Sequence, residues 1–211
     1  MDIRLHEFHA MLTHFPIALL PMAVGADLVG RLTDNDELLS LARTATPVAT
    51  AALAVTGTAG LIAEPAVRAE GEAQTKLARH RNLNLLLLDT ATGMSVYRVL
   101  RHRPSTAYLA VGLGAVTMMF YSAYLGGNIV YHKGVGVESA GGVNVERSPH
   151  FRWSKLGRFA RAAITNLRDE FKYLADLFSP RGARLPRADD FGEAIDDVDK
   201  PTNISPVIDR L

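Results

Sequence analysis

The chain contains no cysteine. That excludes thiolate-held iron–sulfur clusters, covalently attached c-type haem and cysteine-ligated zinc, so any metal or haem must be held by histidine, carboxylate or methionine. An excess of charge of one sign is missing too, with 23 Lys and Arg against 22 Asp and Glu, and no nucleic-acid partner is expected. The amino terminus, Met1 to Glu7, lacks the basic region and small-residue cleavage site of a signal peptide, so the first helix is expected to be retained. Apolar residues, by contrast, make up 48% of the chain, and they are segregated. Up to about residue 132 apolar blocks alternate with short charged gaps; beyond it the chain is charged throughout.

Crossing a hydrocarbon core takes roughly 20 apolar residues of helix. Four windows meet this, at about 8–32, 39–63, 77–100 and 106–131. The fold expected is therefore all-α and integral to a membrane, a four-helix transmembrane bundle over 1–138. The third window is the least apolar, interrupted by Asn82, Asn84, Asp89 and Arg98, but its Leu85 to Leu88 core favours insertion. Small residues, Gly57 and Gly60 in the second window and Gly112, Gly114, Gly126 and Gly127 in the fourth, allow helices to approach closely.

The remaining 139–211 is expected to be an extramembrane tail. Between 152 and 178, Trp153, Leu156, Phe159, Leu167, Phe171 and Phe178 recur at helical spacing, with Arg152, Lys155, Arg158 and Arg161 mostly on the other face. An apolar stripe beside a basic face fits a helix lying on a membrane surface or packed on a soluble partner. Beyond Pro186 the sequence is acidic and expected to be extended, or ordered only against a partner.

Four crossings would place both ends of the bundle on one side. His9 and His14 open the first helix, His80 opens the third and His132 closes the fourth, so all four fall at that end. His102, between Arg101 and Arg103, lies in the opposite loop. Counting Lys and Arg in loops, tail included, puts that end inside, with the protein in the bacterial inner membrane. His9 and His14 project about 140° apart and differ by about 7.5 Å in depth. Ligand sites in helix bundles are built from side chains on facing helices. A b-type haem standing between His80 on one side and His14, preferred, or His9 on the other suits this pattern; a second haem, a histidine-lined metal site or a quinone pocket remain open.

Two acidic residues lie within the windows. Asp27 is 18 residues beyond His9 and Arg98 is 18 beyond His80, which places them at one depth as a structural ion pair. Asp89 falls near mid-membrane; protonation, a bond to Thr56 or Thr58, and proton transfer are all open.

His9-x4-His14-Phe-Pro-Ile-Ala-Leu19, Asp27 one helix-length on, and Leu125-Gly-Gly-x-x-Val-Tyr131 leading into Gly134-Val-Gly-Val137 resemble a bacterial four-helix family of predicted membrane proteins, domain-of-unknown-function family 2231. The resemblance covers about residues 6 to 137 and falls on His9, His14, Asp27, His80, Gly126, Gly127 and Tyr131. Members of that family fused to Rieske or cytochrome-type domains imply electron transfer at a membrane. The family tends to carry a histidine directly before Gly-Val-Gly-Val, where this chain has Lys133. His132 stands one position earlier, a turn of about 100°.

The function these features lead to expect is a b-haem electron-transfer subunit with no catalytic nucleophile. It would act between quinone or another membrane carrier and a partner redox protein, with other subunits of the complex engaging the tail. The rivals are a structural or assembly subunit of a larger membrane complex, and a small proton or solute transporter using Asp27 and Asp89.

Overall fold

The computed structural model describes residues 3–144 together with 150, 151, 157 and 161. Gly157 and Arg161 are helical; the rest of the expected amphipathic helix, and the acidic tail, lie outside the described residues. The chain runs β1 (Ile3–Arg4), α1 (Leu5–Leu12), α2 (His14–Leu32), α3 (Asp36–Ala63), α4 (Glu72–Leu100), α5 (Thr106–Lys133) and β2 (His150–Phe151). Short 3-10 turns at Glu64–Ala66 and Glu138–Ala140 follow α3 and α5. The two strands pair antiparallel, Ile3 with Phe151 and Arg4 with His150.

α1 and α2 form one long rod that pivots at Thr13, which keeps helical dihedrals and donates to His9 O. The pivot has a local cause. Pro16 has no N–H, so Leu12 O loses its helical donor. The Thr56 hydroxyl of α3 donates to that carbonyl instead, at 3.3 Å. α3 begins where the Asn35 side chain accepts from Leu38 N, α5 where Ser105 accepts from Tyr108 N. α5 ends at Gly134, whose φ of 67° suits glycine, and a Cβ there would stand 2.7 Å from Ala140 Cβ.

The rod packs on α3, α3 on α4, α4 on α5, and α5 returns to the rod mainly through α2. Two helical hairpins, α1–α3 and α4–α5, therefore close a four-helix bundle. Its core holds Leu20, Val24, Leu53, Leu87, Met94 and Met119. Gly112 lets α5 approach, because a Cβ there would meet Val24 and Met94 at 3.1–3.2 Å. Threonine hydroxyls inside the helices donate to their own backbone four residues back, as Thr46 does to Ala42 O and Thr58 to Ala54 O. Such bonds let polar side chains exist where water is absent.

Leu5–Leu32, Asp36–Ala66 and Thr106–Lys133 are each long and apolar enough to cross a membrane. α4 is as long but less apolar. The bundle exposes large apolar side chains, among them Leu32, Phe120, Tyr124 and Tyr131, the last 87% exposed. Lipid is the solvent such a surface suits. Charges gather at the two ends. At the end where α4 begins, Arg81 pairs with Glu64 and Lys133 with Glu72, at 2.7 and 2.8 Å; at the other, Arg103 pairs with Asp34 at 2.7 Å. The turn after α5 folds back on the connection before α4: Arg68 N donates to Gly142 O at 2.9 Å and Asn144 N to Ala66 O at 2.8 Å.

Candidate functional site

Two inward-facing histidines are held alike in the two hairpins. In the first, His9 Nδ1 lies 2.9 Å from Thr56 O on α3. Its ring rests on Gly60, where a Cβ would come within 2.9 Å of Cε1. In the second, His80 Nδ1 lies 2.9 Å from Ser122 O on α5, and its ring rests on Gly126, where a Cβ would come within 3.1 Å of Cε1. Each imidazole thus docks on a carbonyl and on the glycine four residues further along the facing helix. Glycine at that step leaves the volume a planar ring needs. The spacing recurs downstream, 18 residues from His9 to Asp27 and 18 from His80 to Arg98, so the hairpins repeat a plan.

The backbone carbonyls also settle the tautomers. A carbonyl only accepts, so Nδ1 of each ring carries the proton and Nε2 keeps its lone pair. His9 Nε2 has no hydrogen bond among the described residues. His80 Nε2 accepts from the Asn84 amide at 3.0 Å, while the Ser122 hydroxyl donates to Asn84 Oδ1 at 2.9 Å.

The other two histidines stand elsewhere. His14 is exposed, with Nδ1 3.2 Å from Met11 O of its own rod. His132 is exposed near Asn128, 3.4 Å away on its own helix. Of the two helix-one histidines, His9 lies on the face that packs against Thr56 and Gly60, whereas His14 is exposed. Among the described residues no three His, Asp or Glu side chains converge as ligands for a bare metal ion.

At the opposite end, Asp27 Oδ1 and Arg98 Nη2 approach to 2.9 Å, both side chains fully buried. The contact is ionic rather than an aligned hydrogen bond, since both Asp27 oxygens lack an aligned donor. Arg98 directs its N–H groups elsewhere, to Arg101 O, His102 O and Leu39 O, each at 2.7 Å. It therefore ties the end of α4 to the following loop and to the start of α3. The Tyr108 hydroxyl borders Asp27 and Thr46.

Asp89 has neither of the threonine bonds open to it. Thr56 donates to Leu12 O and Thr58 to Ala54 O. Its side chain has no hydrogen-bond or ion-pair partner among the described residues, and it shares the outward face of α4 with exposed Gly93 and Val96.

Outside the apolar segments, Glu72 is fully exposed yet held down to about 2, first by hydrogen bonding to Lys133, then by hydrogen bonding to Lys76 and both ammonium charges. It fastens the start of α4 to the end of α5.

Sequence reasoning singled out the histidines but not what seats them: Thr56, Ser122 and Asn84. The available signal was a Thr or Ser four residues before a Gly in the facing helix, Thr56 with Gly60 and Ser122 with Gly126. Among known families, the model described as predicted membrane protein, DUF2231, matches residues 5–139. No curated protein and no solved structure matches.

Proposed function

The chain belongs to the DUF2231 family of predicted membrane proteins, and from that premise we propose that it is a membrane-embedded electron-transfer subunit holding one b-type haem between His9 and His80. One observation carries this: two imidazoles on separate hairpins, each with Nδ1 bonded to a facing carbonyl, each therefore keeping a lone pair on Nε2, which in His80 is held by the Asn84 amide. Axial histidines in haem and metal sites are commonly oriented by such a second hydrogen bond, which fixes the tautomer and raises ligand basicity. A haem held by His9 and His80 would supply a one-electron couple, which suits exchange between a membrane carrier such as quinone and a partner redox protein.

The residues of the chain supply the rest. Thr56 and Ser122 carbonyls hold the rings in register, and Gly60 and Gly126 give them room. Asn84 guards His80 Nε2 and must let it go for ligation. His14, the histidine preferred from sequence, is not a ligand in this arrangement, and neither is His132. The Asp27–Arg98 pair is a structural lock far along the same helices.

The test is haem retention in detergent-purified protein expressed with ample haem. His9→Ala and His80→Ala should abolish the pyridine haemochrome, whereas His14→Ala and His132→Ala should retain it. The opposite pattern, or a colourless wild type, overturns the proposal. A structural or assembly role is the second reading, favoured by the closed His80–Asn84–Ser122 network, which is satisfied without a cofactor. Under that role Asn84→Leu destabilises the bundle, and no variant or wild-type preparation has a haem spectrum.

A further inference from the structure

The two hairpins of the bundle match residue by residue. His80, Asn84, Leu87 and Arg98 each stand 71 positions after His9, Thr13, Pro16 and Asp27, and Ser122 and Gly126 each stand 66 after Thr56 and Gly60. The two rings are seated alike. In both, Nδ1 lies 2.9 Å from the facing carbonyl and a Cβ on the facing glycine would lie 3.6 Å from Nε2. Against this common frame, two differences bear on Nε2.

In the second hairpin the Asn84 amide donates to His80 Nε2 at 3.0 Å, and the Ser122 hydroxyl steadies that amide by donating to Asn84 Oδ1 at 2.9 Å. The first hairpin has no such cap, and the cause begins at Pro16. The hydroxyl equivalent to that of Ser122 belongs to Thr56. It is engaged by Leu12 O, the carbonyl that Pro16 leaves without a helical donor. Leu87, at the matching place in α4, has the N–H that Pro16 lacks, so the Ser122 hydroxyl is free to hold Asn84. At the place of Asn84 stands Thr13, whose hydroxyl donates to Ala10 O at 2.7 Å. Among the described residues, His9 Nε2 therefore keeps its lone pair uncapped.

We infer that the two imidazoles are unequal by construction: His9 is the open nitrogen that takes an electron-pair acceptor first, and Asn84 is a positioning residue that holds His80 in reserve. For the identity of that acceptor, haem iron, the inference rests on the proposed function. A lone pair that already accepts a hydrogen bond must lose it before it can bind anything else. An amide hydrogen bond of ordinary net strength slows such a step by about tenfold. His9 is thus ready at once, and His80 becomes the second ligand only when Asn84 turns away.

Diethylpyrocarbonate is a small electron-pair acceptor that tests this without haem: an imidazole nitrogen bonds its carbonyl carbon and ethyl carbonate leaves. Full-length protein purified without haem is treated briefly, and each histidine is quantified by peptide mass spectrometry. His9 should react about tenfold faster than His80. Asn84→Ala should bring His80 up to the rate of His9 and leave His9 unchanged. Ser122→Ala, which keeps the docking carbonyl, should do the same in part. Thr13→Asn with Pro16→Leu rebuilds the cap in the first hairpin and should slow His9. Equal rates for His9 and His80 in the wild type, or an Asn84→Ala that speeds both alike, would overturn the inference. With haem added to the same preparations, Asn84→Ala should complete the b-type spectrum about tenfold faster than the wild type; equal rates would overturn the order of ligation. A wild type that takes up no haem yet shows the labelling pattern overturns the proposed function and upholds the inequality of the two histidines.

Discussion

Removing Asp27 and removing Arg98 should cost very different amounts, although they form one ion pair. Both side chains are fully buried and their charged atoms lie 2.9 Å apart. Breaking a buried pair by deleting one partner typically costs about 3–5 kcal/mol. Asp27→Asn leaves the guanidinium with its three carbonyl acceptors, Arg101 O, His102 O and Leu39 O, so its cost should sit near the bottom of that range, about 3 kcal/mol. Arg98→Met strands a buried carboxylate and three carbonyls together, and should reach the top of the range, about 5 kcal/mol. The double variant strands only the carbonyls. It should cost about 4 kcal/mol, well below the sum of the single changes, which gives a coupling energy of several kcal/mol. SDS titration from mixed micelles, followed by far-ultraviolet circular dichroism, measures all three. A double variant as unstable as the sum, or equal losses from the two single changes, would refute the asymmetric lock.

Gly60→Ala and Gly126→Ala should each destabilise by about 1–3 kcal/mol through overpacking, since the new methyl meets a histidine ring at 2.9 or 3.1 Å; the same titration checks it, and Gly57→Ala, with open space around its Cβ, is the control. Glu72 should titrate at about 2, visible as the side-chain carboxyl shift in NMR. Because its folded value lies below the ordinary carboxylate value, its contribution is present at neutral pH and is lost as pH falls toward 2, and Lys133→Met should move the midpoint upward. Truncation after Asn144 should leave the bundle assembled, because the backbone bonds of the return turn to Ala66 and Arg68 are then kept. Loss of insertion in that variant would place the tail within the core.

The four-helix membrane architecture is legible in the sequence because hydrocarbon thickness dictates run length, and run length survives without any knowledge of packing. Helix ends are less legible. α4 starts at Glu72, ahead of the apolar window that begins near residue 77, because a helix can extend in its charged part beyond the lipid, held there by the lysine contacts of Glu72. The depth of Asp27 and Arg98 follows from counting along two helices, since rise per residue is constant. Which of His9 and His14 faces inward does not follow from counting. Rotation of the rod is set by what it packs against, and the decisive partners, Thr56 and Gly60, lie on another helix.

The central claim, a haem between His9 and His80, stands or falls on the reduced-minus-oxidised absorption spectrum of the purified full-length protein. A b-type spectrum that disappears in both His9→Ala and His80→Ala and persists in His14→Ala is the predicted result. A flat spectrum from protein produced with ample haem, or one that survives loss of His9 and His80, would contradict it.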